Sequence, residues 1–238
     1  MNHFNTGSIA ERYAKGRPNF HPNTIARIEN FLQLSHQFDK ALDIACGTGL
    51  STQALLPIAK QVYGTDISQP MLDFAAESHK IEYKVSPAES QPFPDHEFDL
   101  ITVGSGVHWF DIDKFLLEAN RLLRKESWLV LYENHFIAEM EGKPELHDWF
   151  YSVYLKRYPS PPRNNQYNWS NENLGKKGFT LVKELRFNNA VQFNKQKLIL
   201  YFTTQSNVIS AVEKKKHPSS RQKPGWEKHL PLFSMMMK

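Results

Sequence analysis

Short apolar runs alternate with stretches of helical periodicity through the first half of the chain. Five runs have the length and composition of strands: residues 42–45, 61–65, 81–85, 97–106 and 127–132. Apolar residues at helical spacing lie between them, for example over residues 50–56 and 113–123. Strands that alternate with helices on short connections pair in parallel through right-handed crossovers. The pattern therefore predicts an α/β fold, a doubly wound Rossmann-like sheet that is mostly parallel.

The flanking regions are less regular. Residues 8–13 and 24–34 predict two helices before the first strand. Aromatic residues accumulate after residue 135, until residues 179–193 predict a sixth strand and residues 195–213 a further helix. No alternating apolar run remains after that helix, so the sequence predicts no further strand there.

Composition narrows the possible partners. The chain has 238 residues, of which 29 are Lys or Arg and 25 are Asp or Glu, for a net charge of +4. This length suits a single α/β domain, and the small charge argues for neither nucleic acid nor a membrane as partner. Cys46 is the one cysteine and cannot form an internal disulfide, so a cytoplasmic location is expected. No run approaches the length needed to span a bilayer.

A glycine turn follows the first predicted strand. Gly47 and Gly49 flank Thr48, and a predicted helix begins directly afterwards. Such a turn directs backbone N–H groups and a positive helix end at one place, and glycine leaves room for a ligand. An ordinary strand-to-helix turn is the alternative, because glycine is common there.

Asp66 narrows the choice of ligand. It ends the second predicted strand, at the spacing where nucleoside-binding folds place an acid on ribose hydroxyls. A dinucleotide site would have a third glycine where Thr52 stands, and Asp43 puts negative charge near the position of the phosphates. These two departures weaken the case for NAD and suit a cationic ligand.

Three motifs carry a resemblance to a known family. Residues 42–49, Leu-Asp-Ile-Ala-Cys-Gly-Thr-Gly, resemble the glycine motif of class I S-adenosylmethionine-dependent methyltransferases. Residues 66–72, Asp-Ile-Ser-Gln-Pro-Met-Leu, resemble the second motif of that family, and residues 88–93, Ala-Glu-Ser-Gln-Pro-Phe, the third. Several motifs in the expected order are more specific than one glycine turn.

Two further segments point to a subgroup. Residues 107–111, Val-His-Trp-Phe-Asp, and 13–18, Tyr-Ala-Lys-Gly-Arg-Pro, are similar to the methyltransferase-11, trans-aconitate methyltransferase-like group. The resemblance is strong over residues 4–125 and weaker to residue 233. It implies one domain with an N-terminal cap at 1–39, a cofactor-binding core at 40–134, and substrate caps at 135–178 and 195–230. It also implies a final antiparallel strand beside the fifth, and because no alternating apolar run is left after residue 213, that strand is expected to be missing or truncated.

The resemblance implies that S-adenosylmethionine is the cofactor, S-adenosylhomocysteine its product, and no metal is required. Arg17 would pair with the methionine carboxylate of the cofactor, although a solvated arginine is the alternative. Ser86 and Pro87 stand where family members often have an aspartate. Only Ala88 and Glu89 are therefore assigned to contacts with the adenine. The residues assigned to the cofactor are Tyr13, Arg17, Asp43, Ala45, Gly47, Thr48, Gly49, Asp66, Ile67, Met71, Ala88, Glu89 and Gly104.

His108 and Trp109 follow the central predicted strand and are the candidate substrate pocket. His108 is the candidate catalytic residue, either as a base or as a group that orients the substrate, with Trp109 excluding water. The alternative is packing, with Trp109 closing the start of the next helix. A carboxylate acceptor is already ionised and needs no base, whereas an amine or hydroxyl acceptor can need one.

The expected function is methyl transfer to a small molecule, with a carboxylate oxygen as the acceptor that some family members suggest. The alternatives are a non-catalytic protein that binds the cofactor and a methyltransferase that acts on RNA. Residues 103–112 contain no Asn/Asp-Pro-Pro-aromatic run of the kind that holds a flipped base, and the basic stretch at 214–228 is typical of a solvated surface. No nucleic acid or membrane partner is expected, and the chain is expected to be a monomer or homodimer.

Overall fold

The computed structural model describes residues 7–161, 164, 166–216 and 233–237. Its strands are β1 (Phe38–Ile44), β2 (Ala59–Asp66), β3 (Ile81–Val85), β4 (Phe98–Gly104), β5 (Leu123–Tyr132), β6 (Thr180–Glu184) and β7 (Phe233–Met237). They form one sheet in the order β3-β2-β1-β4-β5-β7-β6. Strands β1 to β5 pair in parallel, which confirms the predicted α/β sheet.

Helices precede the sheet, connect its strands and form a separate group after β5. They are α1 (Gly7–Gly16), α2 (His21–Leu32), α3 (Leu50–Ala54), α4 (Gln69–Leu72), α5 (Ile112–Leu122), α6 (Glu145–Trp149), α7 (Leu155–Arg157), α8 (Asn171–Gly175), α9 (Lys195–Thr203) and α10 (Ser206–Lys216). A 3-10 turn covers Val107–Trp109, and a π-helix at Phe150–Tyr154 joins α6 to α7.

Helix α5 shows how the sequence specifies these elements. Its first free N–H groups are capped by Asp111, whose side chain accepts a hydrogen bond from the Lys114 N–H. The apolar residues recur at helical spacing and bury one face of the helix against β4 and β5. The residues on this buried face are Ile112, Phe115, Leu116, Ala119 and Leu122. The opposite face of the sheet packs against α2 and α3.

The expectation of a missing final strand is wrong. Strand β7 pairs antiparallel with both β5 and β6 and lies between them. Its sequence, Phe-Ser-Met-Met-Met, lacks the apolar–polar alternation on which the expectation relied. The pairing with β5 also joins residues about a hundred positions apart, which no local pattern reveals.

Two other predicted elements differ in length. Strand β6 ends at Glu184, and residues 185–194 form neither helix nor strand, whereas a strand to residue 193 was expected. The helix expected at 195–213 is two helices, because α9 ends at Thr203 and α10 begins at Ser206. The basic stretch at 214–228 lies outside the residues whose side chains the structure describes.

The cap helices pack on one another around aromatic rings. Phe150 and Tyr154 of the π-helix contact Phe202 of α9, and Gly16 at the end of α1 lies directly against Leu200. A side chain at position 16 would meet the backbone of Leu200 at 3.0 Å, so glycine permits this approach.

Two negative findings apply to the described residues. None of their helices is long and apolar enough to cross a membrane. The same residues contain no group of three or more His, Cys, Asp or Glu side chains that could hold a metal ion.

Candidate functional site

The site lies at the carboxyl ends of β1, β2, β4 and β5. Strand β1 is central, with β2 on one side and β4 on the other. The chain reverses its direction of winding here, and in doubly wound sheets ligands bind in the crevice at this point. The turn after β1 has a left-handed backbone at Ala45, Gly47 and Gly49, where φ is 58°, 57° and 76°. Ala45 adopts that conformation without being glycine, which costs about 1–2 kcal/mol.

Asp66 ties this turn to the end of β2. Its Oδ2 accepts a 2.9 Å hydrogen bond from the Gly47 N–H, and its Oδ1 accepts a 2.8 Å bond from the Ser68 N–H. Burial raises the pKa of Asp66, and these two backbone donors partly oppose that effect. Each carboxylate oxygen can accept about two hydrogen bonds, so Asp66 keeps acceptor capacity. The neighbouring Ile67 exposes 61% of its surface, unusually much for an apolar side chain.

Asp43 faces the protein interior. It is fully buried and accepts hydrogen bonds from three hydroxyls, those of Ser51 (2.6 Å), Thr52 (2.8 Å) and Thr102 (2.9 Å). Burial raises its pKa to about 6, against the opposing effect of the three hydroxyls. In this arrangement Asp43 fixes the glycine turn to α3 and β4, and its side chain has no surface to offer a ligand.

Other residues assigned to the cofactor from the sequence also have interior neighbours. A side chain added at Gly49 would meet the Tyr83 hydroxyl at 2.4 Å, and one at Gly104 would meet the Tyr132 ring at 2.8 Å. These two glycines leave room for protein aromatic rings. Three further side chains that were assigned to the cofactor are buried, those of Thr48, Met71 and Ala88.

Glu89 lies near the opposite wall of the crevice. Its Oε1 accepts a 2.8 Å hydrogen bond from the Asp111 N–H, at the start of α5. This bond joins the loop after β3 to the segment that carries His108 and Trp109. Trp109 is 40% exposed, so it does not simply plug the core.

Arg17 and Tyr13 meet between α1 and α9. The Arg17 guanidinium lies 4.4 Å from the centre of the Tyr13 ring and 5.5 Å from that of Tyr201, and its Nη2 donates to the Thr204 carbonyl at 3.1 Å. Its Nε is buried without a hydrogen-bond partner. No acidic side chain of the described residues forms an ion pair with it. Within the described part of the chain, this half-buried cation therefore has no anionic partner.

His108 pairs with Glu133, a residue that the sequence interpretation missed. The His108 Nδ1–H donates to Glu133 Oε1 at 2.7 Å, and the two side chains are only 6% and 8% exposed. His135 Nε2 lies 3.7 Å from the other Glu133 oxygen. Glu133 directly follows β5, so the rule that selected Asp66, an acid just after a parallel strand, could have found it.

Comparisons with known proteins agree with this geometry. Residues 42–131 match the methyltransferase domain family of type 11. A Dictyostelium discoideum protein that bears a methyltransferase name is 29% identical over 196 residues, which cover 79% of this chain and 74% of that protein. The demethylmenaquinone methyltransferase of Bacteroides fragilis is 38% identical over 104 residues, 39% of this chain and 42% of that enzyme.

A solved structure shares the fold over nearly the whole chain. An Anaeromyxobacter dehalogenans protein that bears the name of a type II methyltransferase superimposes with a TM-score of 0.62 at 19% identity, over 93% of this chain and 94% of its own. Because the sequence identity is low, this structural similarity supports the arrangement of the strands and helices and does not identify the methyl acceptor.

Proposed function

We infer that this chain, a class I S-adenosylmethionine-dependent methyltransferase, transfers the methyl group of that cofactor to a small-molecule acceptor. The observation that carries the proposal is the 2.9 Å hydrogen bond from the Gly47 N–H to Asp66. It brings the glycine turn after β1 and the acid after β2 to one point of the crevice. S-adenosylhomocysteine is the product that remains after transfer.

The nucleoside would be held by residues after β2 and β3. In the proposed complex, Asp66 accepts hydrogen bonds from the ribose hydroxyls with the capacity that Gly47 and Ser68 leave unused. Ile67, exposed beside it, would cover one face of the adenine, which offsets the cost of its exposure. Glu89, on the loop after β3, would accept a hydrogen bond from the adenine amino group.

The methionine end would be held by Arg17. A half-buried guanidinium without an anion is costly, and a carboxylate ligand removes that cost through a charge-assisted hydrogen bond. The unpartnered Nε is the donor available for it. This orphaned cation is an independent indication that the site is built for a ligand with a carboxylate, as the amino-acid part of the cofactor has.

Bound S-adenosylmethionine supplies a methyl group on a positively charged sulfur, so the protein has to orient the acceptor and exclude water. Trp109 is suited to exclude water, because its exposed ring stands next to His108. Asp43 fixes the turn from behind through its three hydroxyl contacts. His108 is the titratable group placed to handle a proton.

The segments around the core would form the walls of the substrate pocket. Helix α1 packs on α9, and the helices between residues 145 and 157 pack on α9 and α10. We propose that residues 1–39, 135–178 and 195–230 act as caps over a core at 40–134. Among these, residues 1–6, 162–163, 165 and 217–230 lie outside the described part.

Methyl transfer tests this function directly. The protein is incubated with methyl-labelled S-adenosylmethionine, a small-molecule metabolite extract and, separately, total RNA. Label in the small-molecule fraction is expected. Label that appears only in RNA contradicts the small-molecule assignment, and cofactor binding without any transfer supports a non-catalytic role instead.

A further inference from the structure

We propose that the acceptor carries a proton on its attacking atom, as a neutral hydroxyl or amine does, and that His108 and Glu133 form a pair that removes this proton. The inference rests on the proposed methyl transfer and adds the chemical class of the acceptor. His108 is the base, and Glu133 is a positioning residue that acts through it.

The backbone brings the pair together at the ends of two adjacent strands. The Ser105 N–H donates to the Tyr132 carbonyl at 2.8 Å, and the Asn134 N–H donates to Ser105 Oγ at 3.3 Å. Ser105 turns the chain sharply, with φ at 59°. These contacts hold the turn with His108 beside the segment with Glu133, so the 2.7 Å bond between the two side chains is set by the fold.

The hydrogen bond defines the state of the imidazole. A carboxylate only accepts, so Nδ1 of His108 carries the proton in this bond. In the neutral ring the other nitrogen, Nε2, is then the one with a free lone pair. No hydrogen bond to Nε2 occurs within the part of the chain that the structure describes. A proton taken up by Nε2 creates an imidazolium that the buried Glu133 carboxylate stabilises.

The pair also lies close to the glycine turn. Two residues before His108, a side chain at Gly106 would stand 2.8 Å from the Cβ of Ala45. The loop after β4 therefore runs against the turn after β1, where the cofactor is proposed to bind. Trp109 continues this wall, with its ring centre 4.9 Å from that of His108.

This arrangement is of little use to a carboxylate acceptor. A carboxylate is already ionised at neutral pH, and the buried charge of Glu133 disfavours its approach. An alcohol, phenol or amine gains from a base. In the step, the acceptor atom forms a bond to the methyl carbon, the carbon–sulfur bond breaks with its electron pair left on sulfur, and the acceptor proton moves to Nε2 of His108.

The chemical form of the product distinguishes the acceptor classes. With ¹³C-methyl S-adenosylmethionine and the metabolite extract, the chemical shift of the transferred carbon separates ethers, amines and esters, and alkali releases labelled methanol from esters alone. An alkali-stable ether or N-methyl product is expected. A methyl ester, or a product methylated on carbon, overturns the inference while the proposed function stands. No labelled product in spite of cofactor binding overturns both.

Variants then test the roles of the two residues on the acceptor so identified. His108→Gln should lower kcat by about 10²–10⁴-fold with cofactor affinity retained. Glu133→Gln should lower kcat less, and for a phenol acceptor both losses should shrink as pH rises and the phenol ionises by itself. His36→Gln is the control, because His36 is exposed at the opposite edge of the sheet. His135 is the other titratable group near Glu133, so the pH profile of kcat is also measured for His135→Gln.

Unfolding midpoint and cofactor affinity show whether each variant is folded. If folded His108→Gln retains full kcat at every pH, the base role is wrong. If Glu133→Gln changes stability but leaves the pH profile of kcat unchanged, Glu133 is structural only and the pair is refuted.

Discussion

Asp43 on β1 accepts a 2.9 Å hydrogen bond from the hydroxyl of Thr102 on the neighbouring strand β4, inside the core. Ser51 and Thr52 donate to the other oxygen of the same carboxylate. Three neutral hydroxyls surround this buried acid, and no cation does within the described residues. Their hydrogen bonds favour the charged form but do not outweigh its burial, so the folded protein binds a proton at Asp43 more readily than the unfolded chain does.

Asp43→Asn should therefore change the pH dependence of stability. The folded pKa of about 6 lies above the ordinary aspartate value of 3.8, so the stability that Asp43 contributes is full below about pH 4 and is lost as pH rises through 6. The loss is on the order of 2–3 kcal/mol. An asparagine does not titrate. The free energy of unfolding of Asp43→Asn, relative to that of the wild type, should therefore rise by that amount between pH 4 and pH 7.

Chemical unfolding at several pH values measures this difference, and two-state analysis gives the free energy of unfolding. Asp39→Asn is the control, because Asp39 is exposed and paired with Lys60 at 2.6 Å. A difference between Asp43→Asn and the wild type that is constant from pH 4 to pH 7 would contradict the assigned pKa.

Gly49 and Tyr83 should be coupled. Gly49→Ala places a Cβ 2.4 Å from the Tyr83 hydroxyl in a left-handed backbone, so it should destabilise the fold by about 1–3 kcal/mol. Tyr83→Phe removes that hydroxyl, which is buried without a partner in the described part, and should cost little. The double variant should therefore recover part of the loss. Additive effects in a double-mutant cycle would show that the two residues do not compete for space.

Arg17 should discriminate between ligands by their carboxylate. Arg17→Gln should weaken S-adenosylhomocysteine binding about 10- to 100-fold, because a charge-assisted hydrogen bond contributes about 1.5–3 kcal/mol. The same variant should bind methylthioadenosine, which lacks the carboxylate, as well as the wild type does. Arg12→Gln is the matched control on the exposed side of α1, where the Arg12 Nε donates to the Ser8 carbonyl. Equal losses for both ligands would show that Arg17 acts through the cap and not through the carboxylate.

Local sequence patterns were sufficient to predict the parallel sheet and its binding edge. Strand β1, the glycine turn and Asp66 each have a signal within a few residues, and the topology then brings them together. The direction in which a side chain points was harder to predict, because neighbouring residues of a strand face opposite sides. Asp43 and Gly104 were assigned to the cofactor from the sequence, yet Asp43 faces three hydroxyls and Gly104 the Tyr132 ring.

Contacts between distant segments had no such signal. Strand β7 is recognised by its partners β5 and β6, not by its own composition. The bond between His108 and Glu133 depends on the register of β4 and β5 and on the positive φ of Ser105. Sequence could nominate His108 as a titratable group at a strand end, but its partner required the structure.

We propose that the turn held by the Gly47–Asp66 hydrogen bond binds the nucleoside part of S-adenosylmethionine. Titration calorimetry of the intact protein with S-adenosylmethionine tests this most directly, with Asp66→Ala and, as control, Asp39→Ala at the opposite end of the sheet. We expect binding by the wild type and the control, and about 10- to 100-fold weaker binding by Asp66→Ala. A folded wild type that binds NAD and not S-adenosylmethionine, or an Asp66→Ala variant with unchanged affinity, would contradict it.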